Sequence, residues 1–124
     1  MALHIEIRET ASCVYQFDLN GSIDNESYID LEKRFHSIMD GKAKGIYVNM
    51  RRVDYVSSAG MGVLVSVWKL LQKNKVSFVL VGLQPMVKKV FDLMRLSALF
   101  TILDQTPAEG ETLDPADSHA AEKS

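Results

Sequence analysis

Ile46-Tyr-Val-Asn-Met50, a loop from Arg51 to Ser57, an amphipathic run from about Ser58 to Asn74, and Val76-Ser-Phe-Val-Leu-Val-Gly82 decide the fold. The two flanking runs are short, rich in β-branched residues and nearly continuous in apolar character, as strands buried on both faces are. Between them Met61, Leu64, Val65, Trp68 and Leu71 recur at the spacing of one helical stripe. A strand, a helix and a second strand in succession imply α/β layering.

Working outward, Leu3-His-Ile-Glu-Ile-Arg8 alternates apolar and polar residues, the pattern of a half-buried strand. Cys13-Val-Tyr-Gln-Phe-Asp-Leu19 is a second such run, and Asn20-Gly21 after it reads as a turn. Asp24 or Asn25 then caps a helix whose apolar positions are Tyr28, Leu31, Phe35, Ile38 and Met39, with Gly41 closing it. Beyond Gly82, Pro85 occupies a first helical turn and Val87, Val90, Phe91 and Met94 form the next stripe. Thr101-Ile-Leu103 is a short last strand. The order β-β-α-β-α-β-α-β predicts a single α/β domain: a mixed β-sheet with helices packed mainly on one face.

Composition agrees and excludes several functions. A chain of 124 residues that is 47% apolar and 24% charged has room for one globular domain with a core of its own. Its formal charge of −2 offers no basic field to hold nucleic acid. The lone Cys13 excludes an intramolecular disulfide and suits a reducing compartment; its place in a strand reads as that of a small buried hydrophobe. Glu6 and Arg8 interrupt any apolar leader segment, and no apolar run approaches the roughly 20 residues of a membrane helix. A cytoplasmic protein with no direct membrane insertion is expected. Residues 105–124 hold five acids, one base and a single large aliphatic residue, Leu113. A segment with so little apolar surface cannot offset its ordering entropy, so a domain over 1–104 and a disordered acidic tail over 105–124 are expected.

The least ordinary residues are Asp54-Tyr-Val-Ser-Ser58-Ala-Gly-Met-Gly62. Two serines stand at a strand-to-helix junction, with Ala59, Gly60 and Gly62 just after them. Each glycine in a first helical turn lowers helix propensity by roughly 1 kcal/mol, so something offsets them. Two explanations stand side by side. Ser57 or Ser58 caps the helix and the glycines allow tight packing on the sheet. Alternatively, a serine at this terminus is a phosphate acceptor, where free amides and the helix dipole favour an anion. The other motifs fail. Gly60-Met-Gly62 has neither the third glycine of a dinucleotide site nor the lysine of a P-loop, and Val56 stands where a nucleophile elbow needs glycine. His4, His36 and His119 are scattered, which argues against a metal. The charges among 24–40 and those of Lys88, Lys89 and Asp92 read as solvated surface. Nothing assembles a nucleophile, base and oxyanion hole, so no catalytic activity and no cofactor are expected.

From Ser57 to Leu64 the chain resembles the STAS family, the bacterial anti-sigma factor antagonists. Asn20-Gly-Ser-Ile-Asp24 resembles the family's entry to its first helix. Val79-Leu-Val-Gly-Leu-Gln-Pro85, with Val87, Val90, Phe91 and Leu96, resembles its strand-to-third-helix stretch. The resemblance spans about residues 3–104 and implies a binding switch. In such a switch the unmodified antagonist binds an anti-sigma factor with a kinase-like ATPase fold, and a sigma factor is freed for transcription. The partner phosphorylates a serine at the start of the second helix, and a metal-dependent serine phosphatase resets it. Ser58 matches the acceptor, Ser57 is the second choice, and Asp24 matches the family's acid near the acceptor. Asp24, Ser57, Ser58, Ala59, Gly60, Met61 and Gly62 are thereby implied in partner binding. The family's D-S-S-G version has Asp where this chain has Ser57, and Ser where it has Ala59. The alternative is a STAS-like cytoplasmic subunit that docks on a membrane transporter without serine phosphorylation.

Overall fold

The computed structural model describes residues 3–39 and 42–105. Its elements are β1 (His4–Ala11), β2 (Val14–Ile23), α1 (Ser27–Ser37), β3 (Gly45–Val56), α2 (Ser58–Lys73), β4 (Ser77–Val81), α3 (Pro85–Leu93) and β5 (Thr101–Leu103). The expected helix stop at Gly41 and all of the expected tail beyond Gln105 lie outside the described residues.

The five strands form one sheet in the order β1-β2-β3-β4-β5. β1 and β2 are antiparallel, while β2, β3, β4 and β5 are parallel neighbours. Each parallel step is bridged by one helix. Crossovers of this kind share one handedness, so steps that all advance in one direction put their helices on one face. The packing agrees: Leu31 and Phe35 of α1, Leu64 and Val67 of α2, and Val87 and Phe91 of α3 share one core with Phe17, Val48 and Leu80 of the sheet. Phe17 stacks on Phe35 with ring centroids 4.5 Å apart, and Phe100 meets Trp68, Phe78 and Phe91. Val14, Tyr47, Val79 and Val81, which alternate with the core residues of their strands, form a smaller buried cluster on the opposite face. The α/β layering and the mixed sheet are therefore as the periodicity implies.

Several local expectations are corrected. Asn20-Gly21 is not a turn: β2 runs through it to Ile23, and its pairing with β3 shifts register between Asp18 and Asn20 and again between Gly21 and Ser22. Gly21, at φ 125°, supplies backbone freedom that such an irregularity needs. The true turn joins β1 to β2 at Ser12-Cys13, so Cys13 is a half-buried turn residue at φ 62° and not a strand hydrophobe. Its amide donates to Glu9 Oε2 at 2.9 Å. The stretch expected as a loop from Arg51 to Ser57 is strand as far as Val56, because Val53 and Val56 turn into the core. On α3, Val87 and Phe91 are buried as expected, but Val90 is exposed, and so is Met94, which follows the helix as its C-cap. On α2, Val63 and Val67 join the core as well, while Val65 and Trp68 are only partly buried.

Candidate functional site

The site gathers where β2 and β3 end and α1 and α2 begin. Ile23 pairs with Val56, and the amide of Ser57 then donates to the Ile23 carbonyl at 2.7 Å. This places Asp24, which follows Ile23, beside the start of α2.

The two adjacent serines have opposite surroundings. Ser57 is 4% exposed and is the N-cap of α2; its Oγ accepts from the Gly60 amide at 3.1 Å. Its carbonyl accepts from the Met61 amide at 2.8 Å. Ser58 is the first helical residue and is exposed. At that position the amides lack intrahelical partners and the helix dipole is positive, so an added anion is stabilised. No acidic residue stands in the first turn of α2 to oppose one.

The two glycines also differ. A Cβ on Gly60 would lie 2.6 Å from Ile23 Cγ2 and 3.2 Å from the Ile23 carbonyl oxygen. Gly60 is therefore needed for α2 to seat on the sheet. A Cβ on Gly62 would meet nothing within 4 Å, and Gly62 is exposed. Ala59 is half-buried, and Met61 is buried at 3% exposure.

Asp24 caps α1. Its Oδ1 accepts from the amides of Ser27 at 2.8 Å and Glu26 at 2.9 Å, and from the Ser27 hydroxyl at 3.0 Å. The Ser27 amide, then the Glu26 amide and the Ser27 hydroxyl, hold the Asp24 carboxyl below the usual carboxylate range. Asn25, the other candidate cap, is exposed and makes no such contact among the described residues. Ser22, Ser27 and Asp54, to which the sequence reading assigns no role, tie this turn to β3. Ser27 Oγ donates to the Ser22 carbonyl at 2.7 Å, and Ser22 Oγ donates to Asp54 Oδ1 at 2.7 Å. The one sequence signal for them is the placing of Ser22 and Ser27 around Asp24, since short hydroxyl side chains favour backbone bonds at turns and caps.

Beside α2's first turn, an apolar groove of about 260 Å³ is lined by Asp54, Tyr55, Val56, Met61, Met86, Val87 and Val90. Tyr55 is 54% exposed and Met86 72% exposed. A separate hydrogen-bonded group on the other face of the sheet joins Asp18 to Arg8, Gln16 and Asn49. Partial burial pulls the Asp18 carboxyl up, but these donors outweigh it and its pKa lies below the usual value. Among the described residues no three metal-ligating side chains gather, and no helix is long and apolar enough to cross a membrane.

Known proteins share this fold. The chain is 27% identical over 109 residues to the anti-sigma-B factor antagonist of Staphylococcus aureus, covering 88% of this chain and all of that protein. The structure matches an anti-sigma factor antagonist from Mycobacterium paratuberculosis with a TM-score of 0.75 at 16% identity, over 98% of this chain and 95% of that one. It matches the phosphorylated form of SpoIIAA, a Bacillus cell fate determinant, with a TM-score of 0.65 at 18% identity, over 80% of this chain and 90% of that one. The sequence model of the STAS domain covers residues 4–109, every element of the sheet and its three helices included, and the chain belongs to that family.

Proposed function

We propose that this protein is an anti-sigma factor antagonist, a binding module without catalytic activity, switched by phosphorylation of Ser58. Unphosphorylated, it sequesters an anti-sigma factor that has a kinase-like ATPase fold, and a sigma factor is released for transcription. The anti-sigma factor transfers phosphate from ATP to the Ser58 hydroxyl, and a metal-dependent serine phosphatase removes it. The observation that carries the reading is the division of labour between neighbours: Ser57 is buried and committed to the cap, while Ser58 is exposed at the helix N-terminus. The name of the Staphylococcus aureus relative supports the antagonist role, and the phosphorylated form of SpoIIAA supports a phosphate on this fold.

Charge and desolvation explain the switch. A phosphoserine adds about −1.5 to −2 charges and three acceptor oxygens. On an open helix N-terminus that is tolerated. Pressed against a partner it leaves a buried, unpaired dianion, which costs several kcal/mol, and each 1.4 kcal/mol is tenfold in affinity. Binding is lost without refolding the domain. The apolar groove lined by Tyr55, Met61 and Met86 supplies surface whose burial favours the complex before modification.

The test is incubation with each kinase-type anti-sigma factor of the same genome and MgATP, followed by intact mass and peptide mapping. One phosphate on wild type, mapped to Ser58 and absent from Ser58→Ala, is expected. A label on Ser57 moves the acceptor by one residue, and no label with an active kinase refutes the switch.

A further inference from the structure

We infer that Gly62 is a clearance residue for the partner and is not needed by the fold: its missing side chain lets the phosphate-donating wall of the anti-sigma factor close on Ser58. This rests on the reading of Ser58 as the acceptor. Three observations carry it. Gly62 lies inside α2, where glycine weakens a helix, yet it does not take the positive φ found at Gly21 and Gly82. A Cβ there would touch nothing within 4 Å, in contrast to Gly60, so close packing within the domain gives no reason for a glycine. It stands four residues after Ser58, and positions so spaced are surface neighbours one helical turn apart. Both are exposed.

The chemistry requires that closeness. Phosphoryl transfer needs the γ-phosphorus of ATP within about 3–3.5 Å of the Ser58 oxygen and in line with it. The partner's nucleotide-bearing surface must therefore reach van der Waals contact with the exposed side of α2's first turns. A methyl group at position 62 projects from that side into the approaching wall. A misplacement on the order of 1 Å is enough to slow an aligned transfer about a hundredfold. In the transfer the Ser58 oxygen bonds to the γ-phosphorus, the bond to the β-phosphate bridging oxygen breaks, ADP leaves, and the hydroxyl proton passes to solvent or to a base of the partner.

The experiment compares wild type, Gly62→Ala and Gly62→Ser by thermal unfolding, by affinity for the same anti-sigma factor, and by the rate of phosphate incorporation from MgATP. Gly62→Ala is expected to raise the unfolding midpoint by a few degrees, because alanine favours the helix and meets no clash. It is expected to lower kcat/KM for phosphorylation at least tenfold, with Gly62→Ser lower or equal. A wild-type phosphorylation rate in both variants would overturn the inference and leave Ser58 as acceptor. A lowered midpoint in Gly62→Ala would overturn it too, since Gly62 would then serve the fold. If wild type itself is neither bound nor labelled, the acceptor reading fails, and the inference with it.

Discussion

The amide of Ser57 donates to the carbonyl of Ile23 at 2.7 Å, fastening the start of α2 to the end of β2. The serine that makes this contact also caps the helix and is buried. Its neighbour Ser58, the first residue of α2, is exposed. On the proposed reading, phosphate reaches the Ser58 hydroxyl without the domain having to open.

Ser57→Ala should therefore lower stability by about 1 kcal/mol, within the range of about 0.5–2 for a lost N-cap. Ser58→Ala should stay within roughly 0.5 kcal/mol of wild type. Urea unfolding of the two variants separates them. Equal losses at both positions would show that Ser58 also has a structural partner.

Gly60→Ala should destabilise the domain. The added methyl would press on Ile23, whose side chain is fully buried, and overpacking of this kind costs about 1–3 kcal/mol. Alanine's better helix propensity returns up to about 1 kcal/mol of that. Chemical denaturation measures the balance, and a variant more stable than wild type would mean that Ile23 yields freely.

Leu64 is fully buried among the strands and helices of the main core. Leu64→Ala should cost about 2–5 kcal/mol. Trp68 is only partly buried and meets Phe100 edge-on at 6.4 Å between ring centroids, so Trp68→Ala should cost less than Leu64→Ala. Unfolding midpoints in urea at constant m decide the ranking.

Acid should weaken the fold through Asp24 and Asp18. Both carboxyls lie below their usual values in the folded domain, Asp24 through the amides of Ser27 and Glu26 and Asp18 through Gln16, Asn49 and Arg8, whose bonds outweigh partial burial. A group with a depressed folded pKa stabilises above its unfolded value, about 3.9 for Asp, and that contribution is lost as pH falls through the folded value. Stability should fall away below about pH 4 from these two groups. Asp24→Asn should flatten part of that acid limb in pH-dependent unfolding, and an unchanged profile would count against the bonds from Ser27 and Glu26.

Ser58→Asp should bind the anti-sigma factor at least tenfold more weakly than Ser58→Ala, a loss of about 1.4 kcal/mol or more. Aspartate carries one charge where phosphate carries nearly two, so the phosphorylated protein should bind more weakly still. Titration calorimetry or fluorescence anisotropy with the purified partner measures all three. Equal affinities would place Ser58 outside the interface.

The local period of the sequence determined the order of the elements, because a strand or helix must bury one face and marks that face by spacing. Cys13, Asn20 and Gly21 were not legible, since a turn and a bulge use the same residue types and only strand pairing tells them apart. Val90 and Met94 continue the helical period of α3, yet they are exposed, because periodicity marks a face and burial depends on what tertiary packing covers. The Ser57-Ser58 pair drew notice from its place before a glycine-rich first turn. Which serine is buried was decided by the Ile23 carbonyl, and which glycine is crowded was decided by the Ile23 side chain. Ile23 is far away in sequence, so no local pattern reports it. The sequence thus determined which residues meet at this junction, and their division into buried ones that hold the fold and exposed ones was set by β2 lying against β3.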